Sequence, residues 1–250
     1  MKLAVLDYGI GGIGIYQMLQ KHYPGADFLY FSDSGVLPYG KMKQEELNRR
    51  VAHIICLAAK EGADQLIIAC HSASTALDFI DPEIPVLGMQ QATCDAISLE
   101  NGKTVAIIGG GRTVEHGFYR DQLSARGFAV KQANAQELSI LVEAGKVSEA
   151  DVAPVLNTIL APLLPFDQLV LACTHYPVLI PHIARFLPGN TRIIDPALQL
   201  LQKLPPAAIP GRKSGKSTNW FCSGDKMLMA KAARLAWQES IMVDQIQHYS

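Results

Sequence analysis

The chain has few charged residues, and their signs nearly cancel. Only 18% of its 250 residues are Asp, Glu, Lys or Arg, and the net charge is -1, whereas an average globular protein has about 25% charged residues. Such a small imbalance gives no electrostatic basis for binding nucleic acid or a membrane surface. Because 49% of the residues are hydrophobic, the chain can still fill a sizeable core and is not disordered.

Long apolar runs are also absent. No segment approaches the roughly 18 consecutive apolar residues of a membrane span, and the N-terminus turns polar at Asp7, too early for a signal peptide. We therefore expect a cytoplasmic protein without a membrane partner.

Cysteine is scarce and is not paired by spacing. The five cysteines are Cys56, Cys70, Cys94, Cys173 and Cys222. An odd number in an intracellular chain argues against a disulfide framework. No two are spaced as C-x-x-C, so we expect no structural zinc site and no other metal.

Short apolar runs alternate with longer amphipathic stretches, which predicts an α/β fold with mainly parallel sheets. The predicted strands are 3–6, 27–31, 65–69, 86–87, 104–108, 129–132, 168–172, 192–194 and 219–222. The predicted helices are 13–21, 44–61, 75–80, 90–99, 113–126, 136–144, 149–164, 178–186, 197–204 and 226–239.

So many strands favour two sheets in two α/β domains. A polar segment at 100–103 and a Pro-, Gly- and Lys-rich segment at 204–217 are the predicted crossings between them. The first domain would contain residues 1–99 and 205–250, and the second residues 100–204.

One segment of the chain is repeated. DQLIIAC at 64–70 and DQLVLAC at 167–173 are identical at five of seven positions, and each ends on a cysteine. Because ligands of open α/β sheets bind beyond the carboxyl ends of the strands, two related halves would present Cys70 and Cys173 to one cleft. The alternative is a chance likeness between two buried strands.

A cysteine pair across a cleft suits inversion of a carbon centre without a cofactor. A proton must leave one face of the carbon and another must be added to the opposite face, so each side needs a group able to act as acid or base. A thiol with an ordinary pKa of about 8.5 needs only modest adjustment for this task. Asp7 is placed to assist Cys70 and His175 to assist Cys173, although a lone His175 would more often be a structural loop residue.

A glycine-rich turn offers a competing interpretation. Residues 9–14 match G-x-G-x-x-G after a predicted strand, and Asp33 follows about 20 residues later, as in dinucleotide-binding folds. Glycine-rich turns are common after the first strand of α/β proteins, and Asp7 would face the pyrophosphate. We therefore expect no nucleotide cofactor.

Several segments together resemble the aspartate/glutamate racemase family over nearly the whole chain. They are DYGIGG at 7–12 (family D-S-G-x-G-G), PYG at 38–40, ACHSAS at 69–74 (family A-C-N-T-A-S), Thr113 with Tyr119 (family T-V-x-S-x-x-Y), LVEAG at 141–145, CTHYP at 173–177, IDPA at 194–197 and SGD at 223–225. The combination is far more specific than any single segment.

The resemblance implies two pseudo-symmetric α/β domains with the active site in the cleft between them. It implies interconversion of L- and D-glutamate, with a role in peptidoglycan synthesis and cell shape. Cys70 would take the proton from the D-enantiomer and Cys173 from the L-enantiomer, assisted by Asp7 and His175. The implied substrate-binding residues are Tyr8, Pro38, Tyr39, Gly40, His71, Ser72, Thr113 and Thr174; a homodimer is left open.

The chain departs from the family pattern around the α-carbon. Tyr8, His71, Ser72 and His116 replace a serine, an asparagine, a threonine and a serine. We expect Tyr8 to fill space or point away, and a protonated His71 to bind a carboxylate. Aspartate, another small carboxylate, or an acidic ligand held by a catalytically silent protein are the alternatives to glutamate.

Overall fold

The computed structural model describes residues 1–204 and 217–246, and within them β-strands alternate with α-helices. The strands are β1 Lys2–Asp7, β2 Asp27–Ser32, β3 Gln65–Ile68, β4 Val86–Gly88, β5 Thr104–Gly109, β6 Ala129–Asn134, β7 Gln168–Ala172, β8 Arg192–Ile194, β9 Thr218–Cys222 and β10 Val243–Gln245.

The helices are α1 Ile13–His22, α2 Gln44–Lys60, α3 His71–Ser74, α4 Met89–Asp95, α5 Gly111–Glu115, α6 Phe118–Ala125, α7 Gln136–Glu143, α8 Glu149–Leu160, α9 Ile180–Ile183, α10 Ala197–Gln202 and α11 Lys226–Trp237. None of the helices in the described part of the chain has the length and apolarity that a membrane crossing requires.

The strands form two sheets, which confirms the predicted α/β class. One sheet has the order β10-β9-β2-β1-β3-β4 and the other the order β6-β5-β7-β8. All strand pairings within the described residues are parallel. The first sheet takes its strands from two separate stretches of the chain, whereas the second is built from one. The crossing predicted at 204–217 lies almost entirely outside the described residues.

Local sequence explains where the elements form. All five residues of β7 are buried, as expected for a parallel strand covered by helices on both faces. Helix α8 begins after Ser148, whose side chain accepts a hydrogen bond from the Asp151 amide. Helix α11 begins after Asp225, which accepts hydrogen bonds from the amides of Met227 and Leu228. Both are standard N-caps that satisfy otherwise unpaired amides.

A single hydrophobic cluster joins the two sheets. Ile10 and Ile13, which follow β1, belong to the same buried cluster as Leu138 and Val142 of α7. Because tightly packed interiors deform little, this shared core fixes one sheet against the other. The carboxyl ends of β1 and β3 are thereby held opposite those of β5 and β7.

Several predicted helices are wrong in their bounds or type. The range 75–80 contains a 3-10 turn, Leu77–Phe79, and no α-helix; the four-residue α3 lies before it, directly after Cys70, and the Thr75 hydroxyl that follows α3 donates to the Ser72 carbonyl. The helix expected at 113–126 is divided into α5 and α6 at Gly117, whose φ is 75°. Only glycine adopts that conformation without strain.

The short elements were the least predictable. Strand β10 was not predicted, and the segment expected as one helix at 178–186 contains only the four-residue α9 between two 3-10 turns. Pro177 lies in the first turn of the 3-10 helix before α9 and Pro181 in the first turn of α9 itself, positions where a missing amide is tolerated.

Candidate active site

The facing carboxyl ends of the two sheets enclose a cavity of about 480 Å³. Eleven of the twelve site residues predicted from sequence line it, and the twelfth, Asp7, is buried next to it. The lining residues from the prediction are Tyr8, Pro38, Tyr39, Gly40, Cys70, His71, Ser72, Thr113, Cys173, Thr174 and His175. The two cysteines therefore open into one space, each from a different sheet.

Cys70 lies between the end of β3 and the first residue of α3. Burial raises the pKa of its thiol far above the ordinary range, and the nearby charge of Asp7 raises it further. The amides of Ala73 and Ser72 act in the opposite direction but do not compensate. We infer that Cys70 rests as a neutral thiol, which is the form that delivers a proton.

Cys173 follows β7 and is paired with a histidine that has its own carboxylate partner. Its Sγ lies 3.4 Å from Nδ1 of His175, and Nε2 of His175 lies 2.5 Å from Oε1 of Glu143. Burial lowers the pKa of His175, but the negative charges of Cys173 and Glu143 outweigh burial and raise it well above its usual value near 6.5. His175 is therefore placed as an imidazolium beside Cys173, and a cationic partner of this kind is what activates a cysteine for acid/base chemistry.

Asp7 ends β1 and is fully buried. It accepts hydrogen bonds from the Gly12 amide at 3.0 Å and from the Thr174 hydroxyl at 3.2 Å. Burial raises its pKa, although the positive charge of His175 partly offsets this. A carboxyl group with a raised pKa beside Cys70 is better suited to exchanging protons than an ordinary aspartate.

The glycine-rich turn serves close packing across the cleft. A β-carbon on Gly9 would overlap the Glu143 carboxylate, and one on Gly11 would overlap the Thr174 hydroxyl. The amide of Ile10 donates to Glu143 at 2.8 Å. These glycines admit side chains from the second sheet and leave no space there for a pyrophosphate.

Asp33, the other part of the nucleotide fingerprint, is already fully engaged. The Tyr39 hydroxyl and Nε of Arg50 each donate to its carboxylate at 2.7 Å. Asp33 is completely buried and therefore holds Tyr39, and with it the PYG segment, at the cavity wall.

Comparison with known proteins identifies the family. A model of the Asp/Glu/Hydantoin racemase family matches residues 14–204. The chain belongs to the Asp/Glu/Hydantoin racemase family.

Individual relatives agree with this assignment. A glutamate racemase from Gloeobacter violaceus is 31% identical over 93% of this chain and 91% of its own length. One from Stutzerimonas stutzeri is 28% identical over 97% of this chain and 96% of its length. The crystal structure of glutamate racemase from Francisella tularensis in complex with D-glutamate superposes with a TM-score of 0.85 at 23% identity, covering 98% of this chain and 97% of that one.

His71 differs from its predicted state in this racemase. The imidazole is buried, which lowers its pKa to about 3, and its Nδ1 lies 2.7 Å from the Tyr119 hydroxyl. The prediction of a protonated His71 that pairs with a carboxylate is therefore wrong. A protonated ring would be a positive charge without hydration, because His71 is buried at the start of α3. A neutral His71 remains available as a hydrogen-bonding group.

We expect this buried neutral histidine to make the protein acid-sensitive. The folded-state pKa lies below the unfolded value of about 6.5, so the unfolded chain binds more protons between these values and stability falls as pH falls. Between pH 6 and pH 4, wild type should lose up to about 1.4 kcal/mol more unfolding free energy per pH unit than His71→Asn. Chemical denaturation of both proteins across this range measures the difference. Parallel pH profiles would contradict a neutral His71.

Of the two expectations for Tyr8, filling space or pointing away, the structure shows the first. Its hydroxyl donates to the Val36 carbonyl at 3.2 Å, and its ring packs edge-on against Tyr39 with centroids 5.5 Å apart. The larger side chain thus forms part of the cavity wall beside the PYG segment.

Four charged residues line this racemase's cavity that were not predicted from sequence; Lys41 and Glu115 are exposed, whereas Glu143 and Arg112 are partly buried. Glu143 lines it and binds His175, and Arg112 lines it next to Thr113. The LVEAG segment at 141–145 was a usable signal for Glu143, because it resembles the family pattern and contains a single charged residue. For Arg112 the sequence carried no such signal.

Proposed function

We propose that this racemase interconverts L- and D-glutamate with Cys70 and Cys173 as the acid/base pair and without a cofactor. The observation that carries the proposal is that both thiols line one cavity, each at the carboxyl end of a strand in a different sheet. The glutamate racemases among its relatives support glutamate as the substrate.

For the L-enantiomer, the Cys173 thiolate removes the α-proton. The carbon–hydrogen bond breaks, a sulfur–hydrogen bond forms, and the electron pair is delocalised into the α-carboxylate. The Cys70 thiol then donates its proton to the opposite face of the carbon, which yields the D-enantiomer. The neutral Cys70 inferred above, and the position of His175 beside the sulfur of Cys173, match this direction.

For the D-enantiomer the roles are exchanged. Cys70 acts as the base and Cys173 as the acid. Asp7 has a raised pKa and lies close enough to Cys70 to affect the pKa of its thiol, so it can assist that proton transfer. His175, held by Glu143, does the same for Cys173.

The remaining cavity residues would hold the substrate. We assign the side-chain carboxylate to the backbone of Tyr39 and Gly40, after Pro38. Ser72 and Thr113, whose hydroxyls lie 3.3 Å apart, together with Thr174 would contact the amino-acid backbone. In this proposal a neutral His71 hydrogen-bonds the substrate, and Tyr8 narrows the cavity as part of its wall.

The decisive experiment is incubation of wild type with each glutamate enantiomer in deuterated water. We expect deuterium at the α-carbon, seen by NMR, together with formation of the opposite enantiomer, seen by chiral chromatography. Aspartate is tested in parallel. Faster exchange of aspartate than of glutamate, or no exchange of either, would refute the proposed substrate.

Three further points stay proposals of the same kind. Residues 1–99 with 205–250 and residues 100–204 would be the two domains. The protein would act in the cytoplasm and supply D-glutamate for peptidoglycan. A homodimer, if it forms, is detectable by light scattering at micromolar concentration.

A further inference from the structure

Arg112 is a half-buried arginine that crosses the cleft. It lies on α5, which follows β5 of the second sheet, but its guanidinium binds groups that belong to the other side. Nη1 donates to the Met42 carbonyl at 2.9 Å, Nε donates to the Thr75 hydroxyl at 3.3 Å, and Nη2 donates to the Gln44 side-chain oxygen. These bonds hold the guanidinium in one place on the cavity wall.

None of these three acceptors is charged. Arg50 nearby shows the usual arrangement, an ion pair with the buried Asp33. Arg112 has no such ion pair among residues 1–204 and 217–246. Burial lowers its pKa, but an arginine stays charged in proteins. A fixed positive charge that is partly removed from water therefore lacks a negative partner.

The location of this charge indicates its partner. The β-carbon of Arg112 lies 3.9 Å from where a β-carbon on Gly40 would stand, so α5 borders the PYG segment that the proposed function assigns to the distal carboxylate. Two other charged residues of the cavity wall in this region, Lys41 and Glu115, are exposed to solvent. Their fields are screened by water and salt far more than that of Arg112.

We propose that Arg112 is a specificity-determining residue that selects substrates with an anionic distal group. The inference rests on the proposed function for the orientation of the amino acid in the cavity. A guanidinium has five N–H donors, of which three are used by Met42, Gln44 and Thr75, so two remain for a carboxylate. The three neutral acceptors fix the orientation of these donors before the substrate arrives, which reduces the entropy lost on binding.

The test compares two ligands of nearly the same shape. Binding of D-glutamate and D-glutamine is measured by calorimetry for wild type, Arg112→Gln and Arg112→Lys. Wild type should prefer D-glutamate. Arg112→Gln should weaken the binding of D-glutamate about 10- to 100-fold, the size expected for one charge-assisted hydrogen-bond pair. The affinity for D-glutamine should change less than about threefold. Arg112→Lys keeps the charge without the planar fork and should retain part of the preference.

Arg120→Gln is the matched control, because it removes the same charge from the neighbouring helix α6 at a residue that is 54% exposed. Its selectivity should equal that of wild type. Equal weakening of both ligands by Arg112→Gln would mean that Arg112 only holds the cleft together, and this would overturn the proposal. So would a wild type that does not prefer D-glutamate, or an Arg112→Gln variant that keeps the preference. Because calorimetry reports occupancy of the site whether or not the bound glutamate is interconverted, a loss of selectivity is distinguishable from a loss of racemisation, which the isotope exchange tests.

Discussion

Serine in place of either Cys70 or Cys173 is expected to reduce racemisation of both glutamate enantiomers by about 10²- to 10⁴-fold, the contribution typical of a positioned acid or base. A serine hydroxyl is far less acidic than a thiol, so it is a poor base and a slow proton donor at neutral pH. Both directions must fall together, because enantiomers have equal free energies in water and the equilibrium constant of racemisation is fixed.

A partial reaction assigns each thiol to its own face. A β-chloro analogue of glutamate loses its α-proton and chloride to give an enamine, which hydrolyses to a keto acid and ammonia. Only one base is required, so Cys70→Ser should still eliminate chloride from the L-analogue and Cys173→Ser from the D-analogue. Chloride release from each enantiomer measures this.

Cys56→Ser is the control for the pair, since this half-buried cysteine of α2 does not line the cavity. It should behave as wild type in both assays. Full racemisation by either cavity variant would refute the two-base assignment, and elimination from the wrong enantiomer would reverse the roles.

The repeated strand-plus-cysteine segment was the part of the site that sequence could predict. Buried parallel strands have a near-continuous apolar pattern, and whatever follows them lies at the edge where ligands bind. The segments ending at Cys70 and Cys173 therefore located the cavity before any contact was known. The structure adds that the two edges face each other, which depends on the core shared by α1 and α7.

The electrostatic state of the site could not be read in the same way. The expectation for His71 came from the residue it replaces, but its pKa is set by burial, and its hydrogen-bond partner Tyr119 is 48 residues away in sequence. Arg112 looked like any other helical arginine, because its acceptors Met42 and Thr75 come from separate segments. Such long-range contacts leave no local pattern in a single sequence.

Glycine spacing misled for a related reason. The turn at 9–14 matches a nucleotide motif because glycine is required wherever another group must approach the backbone closely, whether that group is a pyrophosphate or a protein side chain. Here the groups that approach Gly9 and Gly11 are Glu143, Thr174 and His175. Whether a glycine turn contacts a ligand or a protein side chain depends on the residues that face it in the folded protein, and a single sequence does not show these.

Glu143→Gln is expected to lower racemisation of glutamate about 100-fold by weakening the imidazolium at His175, on the scale of one positioned acid/base group. Burial lowers the pKa of His175, but Cys173 and, next to it in effect, the carboxylate of Glu143 hold it well above 6.5. A neutral glutamine keeps a hydrogen bond but removes the negative charge, so the pKa of His175 should fall and the Cys173 thiolate should lose its counter-ion.

The raised pKa of His175 also makes the effect of Glu143→Gln on the free energy of unfolding depend on pH. A histidine whose folded pKa is raised contributes stabilisation that is fully present below the unfolded pKa near 6.5 and is lost as pH rises through the folded pKa. The difference in unfolding free energy between wild type and Glu143→Gln should therefore be larger at pH 6 than above the folded pKa. Glu137→Gln, which removes an exposed carboxylate from the first turn of the same helix, should show no such pH dependence.

The two faces of the substrate separate this positioning role from a general loss of structure. Because Glu143 acts through His175 on Cys173, Glu143→Gln should slow chloride elimination from the L-analogue strongly and from the D-analogue little. An NMR titration of His175 should show its pKa moving down in the same variant. Equal loss of elimination from both enantiomers, with an unchanged His175 titration, would show that Glu143 only supports the glycine turn through its hydrogen bond to the Ile10 amide.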